Sequence, residues 1–527
     1  MRQQRESSLS KQPTSRDKLN AVVDGATTPN KAITLILGRD DFSVGAKIKR
    51  RDFPKPERDS QEVLEFAQKI GDGESDLREV AEAMLKLHNP PRGSDVEYDR
   101  VKFYFKRAAA TRRELPFSRE HHLRMVSVYR SIMETCLTPS PLTSGMIFDQ
   151  DGNLKVPVFE AAHASLKPDS SPGYPFQSFP ENKDVPKGDM YLELNSFMRQ
   201  LADSRFPSYY VNPSDVSSGP IKLVLQKNGI CLPACVHVKS EGTSKAKVAR
   251  LIYATSCVVQ MASRILYPNL SRDCVQTWHT SSHKVGMDMN SPSGLGKFKQ
   301  YLDGFKAVCE QQGLEIVADD IQGWEYVFQS FMEYTWIVAN IVHNNDSEAI
   351  EQMKINLHYS EANALVALSD GELLQLPSFI MMSGRYFTHV LNSHARAALA
   401  VLDYRLSPRK VWRDDVDDYV DTLPVMTNGD DCVSGRKPSS MPCFSTKLGM
   451  VHTDFSVMPT DMYEFCSQDF LASGGQLTRT PKNIAKLMFN YVQAKTMDAK
   501  LALAAELSLS DLGRKLLLRH SPNLVAL

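Results

Sequence analysis

The sequence predicts an α+β fold in which a small antiparallel sheet carries the polar chemistry and helices buttress it. Three observations point there. Residues 425–427 and 432–434 are short apolar runs around Asn428-Gly429-Asp430-Asp431, and an Asn-Gly turn between such runs is a strong hairpin signal. Residues 314–318 read as a strand that leads into a helical run over 325–342. The C-terminal stretch is helical by its periodicity, as in 483–495 and 501–518.

Composition narrows the field without naming an activity. The chain has 527 residues, enough for several lobes at roughly 100–200 residues each. Hydrophobic residues make up 42% and charged residues 24%, as in ordinary soluble globular proteins. Lys plus Arg equals Asp plus Glu at 62 each, so any footprint for an anionic partner must come from local clusters. Nine cysteines lack zinc-finger spacing. Cys231, Cys235 and His237 come closest, but no second half-site follows, and a buried strand is the expected reading. The odd cysteine count and the lack of a secretory signal suit a reducing compartment. No apolar run of about 18 residues predicts a membrane span.

In chain order, residues 1–60 are polar and basic, from Arg2 through Lys47, Lys49, Arg50 and Arg51 to Arg58. An apolar run at 32–38 interrupts them, and the segment reads as an extension packed partly on the body. Helices are expected over 76–87 and 119–136, the second capped by Ser118. Pro- and Ser-rich stretches at 138–141 and 157–180 read as a connector. Residues 388–402 read as a further helix. Gly294-Leu-Gly296-Lys297 lacks phosphate-loop spacing and reads as a turn before a helix. Asp149-Gln-Asp151-Gly152 lacks the distal Glu of a calcium loop and reads as a turn. The basic C-terminal helix, with Arg514, Lys515 and Arg519, could touch a membrane, but packing on the body explains it more simply.

The acids carry the sharper signal. Asp430 and Asp431 are adjacent like charges on a tight turn, an arrangement that a divalent cation relieves. Hard oxygen donors suit Mg²⁺ or Mn²⁺. Taken alone, Gly-Asp-Asp is also a common turn. The second element, residues 316–325, is a strand ending in Asp319-Asp320, a turn permitted by Gly323, and a further acid at Glu325. Each of these acids, taken singly, reads as an exposed strand end.

Together these segments resemble the ordered motifs of viral RNA-dependent RNA polymerases, from about Ser171 to Phe470. Asp320-Ile-Gln-Gly-Trp-Glu325 looks like motif A. Ser383-Gly384-Arg-Tyr-Phe-Thr388-His-Val-Leu-Asn392-Ser393 resembles motif B, and Asn428-Gly429-Asp430-Asp431 resembles motif C. Thr388 and Asn392 lie four apart, on one helix face. The basic run 238–252 resembles motif F, with Lys239 and Arg250 at its most characteristic positions and Lys245 and Lys247 between them. Ser171-Pro-Gly173-Tyr-Pro-Phe resembles motif G, and Phe465-Cys466-Ser467 with Phe470 resembles motif E. Residues 447–452 fall where motif D belongs; its proton donor is unassigned, with His452 a candidate and a surface histidine the plainer reading. The overall look is similar to sobemovirus, polerovirus and picorna-like enzymes. Motif A closes with Glu325 where those enzymes usually carry Asp.

The resemblance implies a right-hand polymerase with a small antiparallel palm sheet flanked by helices. Its regions would be an N-terminal extension over 1–74 packing on the fingers, fingers over 75–312, and palm over 313–344. A fingers insertion would follow over 345–375, more palm over 376–464, and motif E with a helical thumb over 465–527. It implies template-directed RNA synthesis by two-metal nucleotidyl transfer, with Asp320, Asp430 and Asp431 holding two Mg²⁺ or Mn²⁺ ions. Lys239, Lys245, Lys247 and Arg250 would hold the triphosphate, and Glu325, Ser383, Gly384, Thr388 and Asn392 would check the sugar. Ser171, Gly173, Cys466 and Ser467 would touch template and primer. Implied partners are an RNA template and product duplex, NTPs, other viral replication proteins and host membranes, in replication complexes of the host-cell cytoplasm. Two rivals share parts of this pattern. A reverse transcriptase shares the palm but usually has an aromatic gate near Glu325, and a non-catalytic RNA-binding relative would have lost some of the acids.

Overall fold

A computed structural model describes residues 43–47, 61–111, 119–203, 232–244, 247–362, 365–376, 380–405 and 424–521, except 439, 441, 443, 460, 461 and 474. Ser118, residues 32–38, Cys231 and Lys245 lie outside the described residues.

The strand expected over 314–318 runs from Glu315 to Ile321, so Asp319 and Asp320 are themselves strand residues. The β-branched Ile316, Val317 and Ile321 favour the strand, and Gly323, in the left-handed region at φ 66°, follows its end. It is one of the two inner strands of a four-stranded antiparallel sheet in the order His452–Val457, Glu315–Ile321, Asp431–Arg436, Val425–Asn428. The last two form the expected Asn-Gly hairpin, each longer than the apolar runs alone suggested.

The helical run after this strand is broken. Trp324–Val327 and Ser330–Asn344 are separate helices, with Phe328 and Gln329 extended between them. Phe328 is fully buried with its ring edge-on to Trp324, 5.4 Å between centroids, and that packing outweighs helical continuity. Thr388–Arg405 forms one helix with a nearly continuous buried stretch of small and apolar residues from Ala395 to Leu402. It shares the largest core with helices Arg119–Cys136, Cys257–Leu266 and Ser330–Asn344.

A second sheet runs in the order Ser43–Lys47, Glu372–Gln375, Leu365–Ala367, Ala234–Val238, Leu251–Ala254. Cys235 is buried in it, as a strand residue. A third sheet joins Met462–Phe465, Gln468–Ser473 and Gln476–Pro481. Helices Gln61–Gly71 and Ser75–Leu85 share a separate core with Ile484–Gln493 and Asp511–His520, so the expected boundary at 74/75 falls inside one packed unit.

Two further expectations change. The run 501–518 is two helices, Met497–Leu507 and Asp511–His520. Ser510 caps the second by accepting from the Gly513 N–H, and a Cβ on Gly513 would overlap the Leu507 carbonyl oxygen. Gly294 and Gly296 lie within the helix Pro292–Gln312 and not in a turn before it, because Ser291 caps that helix and Pro292 starts it. Asp149–Gly152 does turn, with Asp149 Oδ1 accepting from the backbone of Asp151 and Asn153.

Candidate functional site

Strand register brings the acids together. Cys432 pairs with Asp319 in the ladder, so one step further Asp431 faces Asp320, and Asp430 sits beside them in the turn. Directly opposed residues of an antiparallel pair share a face, and successive residues alternate. Asp320 and Asp431 therefore occupy one face, with Thr453 flanking Asp320 from the other side. Asp319 and Cys432 occupy the opposite, buried face.

Asp319 is fully engaged there. Its Oδ1 accepts from Arg396 Nη2, and its Oδ2 lies 2.9 Å from His452 Nδ1. Arg396, on the helix Thr388–Arg405, also donates through Nε to the Asp430 carbonyl at 3.2 Å. One guanidinium thus ties both acid-bearing strands to the helix. Sequence reading missed it; the available signal was its position one turn after Asn392.

The turn is gripped from two sides. The Gly429 N–H donates to Ser393 Oγ at 2.8 Å, Thr427 Oγ1 donates to the Ser393 carbonyl at 2.8 Å, and His389 Nε2 lies 2.8 Å from Asn428 Oδ1. From the third sheet, Cys466 Sγ accepts from Asn428 Nδ2 at 3.0 Å. Cys466 and Ser467 form the two-residue hairpin turn with φ of 54° and 58°, values that non-glycine residues adopt only where the surroundings enforce them. The sequence-predicted pair Cys466 and Ser467 therefore abuts the acidic turn.

Electrostatics show the crowding of charge. The Asp431 carboxyl is pushed up to about 6, by burial first and then by the Asp430 charge. Burial also raises Glu325, with Asp430 adding to it and Arg250 and Lys239 opposing. Arg250 is held above its usual range: burial would lower it, but Glu325, Glu241 and Asp430 outweigh that. The basic hairpin thus comes within the field of the acids. Its base is closed by the Lys239 N–H donating to the Arg250 carbonyl at 2.9 Å, and Lys239 Nζ pairs with Glu241 at 3.3 Å. Lys247 is exposed.

The Ser-Gly loop is built into the same wall. A Cβ on Gly384 would overlap the Tyr253 carbonyl oxygen, and the Gly384 carbonyl accepts from Thr255 Oγ1 at 2.7 Å. Ser383 Oγ accepts from the Tyr253 N–H at 3.3 Å, and Ser383 is exposed. Arg385, next in the chain, is buried, donates two hydrogen bonds to the Glu333 carboxylate at 2.6 and 2.5 Å and reaches Glu361 at 2.6 Å. That anchor was also missed, because its partners are far away in sequence.

Thr388 and Asn392 differ from the expectation of two open sugar sensors. Thr388 is buried, and its hydroxyl donates to the Met382 carbonyl at 2.7 Å. Asn392 is 9% exposed, and its Oδ1 is a buried acceptor without a partner. Gly173, at φ 67°, packs against Thr255 and Ser256, while Ser171 is exposed beside it. His452 is not a surface histidine. Burial, then Arg396, lowers it to about 4, and its Nε2 lies 2.6 Å from Ser445 Oγ. Lys447 is exposed on the short helix Phe444–Lys447.

Over about half its length the chain is similar to viral P1-P2 proteins. It is 28% identical over 291 residues to Protein P1-P2 of Turnip yellows virus (isolate FL-1), covering 52% of this chain and 25% of that protein. Against Protein P1-P2 of Potato leafroll virus it is 23% identical over 289 residues, 53% of this chain and 26% of the relative. The match thus spans about a quarter of these longer proteins. No family model matches the chain. Among the described residues, no helix is long and apolar enough to cross a membrane.

Proposed function

We propose that this chain is an RNA-dependent RNA polymerase of a positive-strand RNA virus, folded as a right hand, that copies an RNA template from NTPs. The observation that carries the proposal is the ladder pairing Cys432 with Asp319, which brings the next residues, Asp431 and Asp320, to one level beside Asp430, within the field of Arg250. In this reading the four-stranded sheet is the palm, and the Leu251–Ala254 sheet belongs to the fingers.

The donor set fits divalent magnesium or manganese. It offers carboxylate oxygens alone, and a cation would relieve both the burial and the Asp430 charge that raise Asp431. Asp320, Asp430 and Asp431 would hold two such ions, which when bound activate a 3′-hydroxyl and neutralise charge on pyrophosphate. The protein's own groups do the rest. Arg250 and Lys239 bind the triphosphate anion, Lys247 adds charge at the rim, and Gly384 lets the Ser383 loop lie flat against the fingers strand. The Asn392 Oδ1, buried and without a partner in the free protein, would accept from a ribose 2′-hydroxyl, which a deoxyribose lacks. The Cys466-Ser467 turn supports the primer strand beside the acids, and the Ser171–Gly173 loop lies toward the template. In the infected cell the chain would act in cytoplasmic replication complexes, with other viral replication proteins and host membranes as partners.

The test is extension of a primed RNA template with NTPs and Mg²⁺ or Mn²⁺. The proposal expects a complementary RNA product and little product from dNTPs. Equal use of dNTPs would favour a reverse transcriptase, and no product with either ion, primed or unprimed, would favour a non-catalytic RNA-binding role.

A further inference from the structure

Behind the acidic turn, four side chains from distant parts of the chain converge. Cys136 ends the helix Arg119–Cys136, Cys274 lies in the helix Leu270–Thr277, His283 follows in the next loop, and His394 lies in the helix Thr388–Arg405. All four are buried, and one ligand atom from each lies within 4.8 Å of every other. We propose that Cys136, Cys274, His283 and His394 form a Cys₂His₂ site for a structural zinc ion.

The chemistry of the set is specific. Thiolate sulfur and imidazole nitrogen in tetrahedral number suit zinc, and they do not suit the hard cations expected at the carboxylates. A tetrahedral zinc with ordinary bond lengths sets its ligand atoms roughly 3.3–3.8 Å apart. Cys136 Sγ and His394 Nε2 already stand at 3.6 Å. The decisive observation is His283. It is wholly buried, neither ring nitrogen makes a hydrogen bond of good geometry, and the Cys274 thiol lies against it. A zinc ion would take the lone pair of one ring nitrogen. The Trp336 indole N–H donates to His394 Nδ1 at 3.1 Å and so turns Nε2 toward the sulfurs. For Nε2 to bind zinc as a neutral imidazole, the ring proton must move to Nδ1 and the Trp336 indole must release that nitrogen, so His394 is the weakest of the four ligands.

The position explains what the ion would do. The backbone of His283 bridges Thr427 in the catalytic hairpin: Thr427 N–H donates to the Ser282 carbonyl at 2.9 Å, and Lys284 N–H to the Thr427 carbonyl at 2.7 Å. His394 follows Ser393, whose hydroxyl holds the Gly429 N–H. A zinc here would lock the acidic turn and its supporting helix to the helices that carry Cys136 and Cys274. Sequence spacing could not reveal it, because Cys136 and His394 lie 258 positions apart.

The test measures metal in the purified full-length chain and needs no nucleotide incorporation, so it stands apart from the polymerase proposal. The expected result is close to one zinc per chain by mass spectrometry of the metal, surviving gel filtration. Cobalt exchanged into the parent protein should give tetrahedral d–d bands with sulfur-to-cobalt charge transfer, and Cys136→Ser should roughly halve the charge-transfer band. His283→Gln should lose the ion while Cys235→Ser, a buried cysteine outside the cluster, keeps it. A folded parent holding less than about a tenth of an equivalent of zinc and showing no tetrahedral cobalt spectrum would overturn the proposal. So would two thiols that a reductant, and not a chelator, releases, since that marks a Cys136–Cys274 disulfide.

Discussion

The Arg396 guanidinium holds the Asp319 carboxylate and, through Nε, the carbonyl of Asp430. Arg396 and Asp319 are nearly inaccessible, at 1% and 3% side-chain exposure. Asp319 is thus the acid that fixes the strand, and its neighbour Asp320 is left on the other face. Removing one partner of a buried pair leaves an uncompensated charge, which costs roughly 3–5 kcal/mol. Arg396→Ala should lower unfolding free energy by about that amount in a urea titration. Arg396→Ala with Asp319→Asn should recover part of it, because neither member is then charged.

Asn392 gives a prediction that separates stability from selectivity. A buried acceptor with no partner is costly in the free protein, so Asn392→Ala should destabilise it by less than about 1 kcal/mol. The same change should lower the preference for NTP over dNTP by about 10–100-fold, as expected for one lost hydrogen bond to a sugar hydroxyl. Competition between the two substrates in single-nucleotide extension reads this directly. An unchanged preference would remove Asn392 from the sugar site.

His452 makes a pH prediction. Its folded value of about 4 lies below the ordinary 6.5, so the folded state favours the neutral ring. The stability it contributes is complete above about pH 6.5 and is lost as pH falls toward 4. Denaturation midpoints measured across that window should fall in the parent and fall less in His452→Gln. Both ring nitrogens face Asp319 and Ser445, so the same variant should leave the acid limb of the incorporation rate profile in place. A shifted acid limb would restore His452 as the proton donor.

Asp431 has the opposite sign. Its folded value of about 6 exceeds the ordinary 3.8, so its contribution is complete below 3.8 and is lost as pH rises through 6. In metal-free protein, Asp431→Asn should therefore stabilise the fold at pH 7.5, by about 1–2 kcal/mol after allowance for solvent screening. It should also weaken the stabilising response to added Mn²⁺ in a thermal melt, because an ion that binds only the folded state raises the midpoint.

Much of this geometry was readable from local pattern. The hairpin around Asn428-Gly429 was legible because turn chemistry and flanking apolar runs agree within ten residues. The helix at Thr388 was legible from periodicity. What escaped reading depends on long-range partners. Arg396 reads as one more cation on a helix until the fold supplies Asp319, and Arg385 until it supplies Glu333 and Glu361. The break at Phe328 follows from a buried aromatic contact, which propensity does not encode. Thr388 and Asn392 share a face as expected, yet the Met382 carbonyl engages one and the buried Oδ1 of the other has no partner.

The most direct test of the acidic centre compares the parent with Asp430→Ala in primed RNA extension, at equal folded concentration and in Mn²⁺ as well as Mg²⁺. The account predicts robust templated NTP incorporation by the parent and a loss of at least about a hundredfold in the variant, as metal-held charge stabilisation is worth several kcal/mol. Incorporation by Asp430→Ala equal to that of the parent would contradict it.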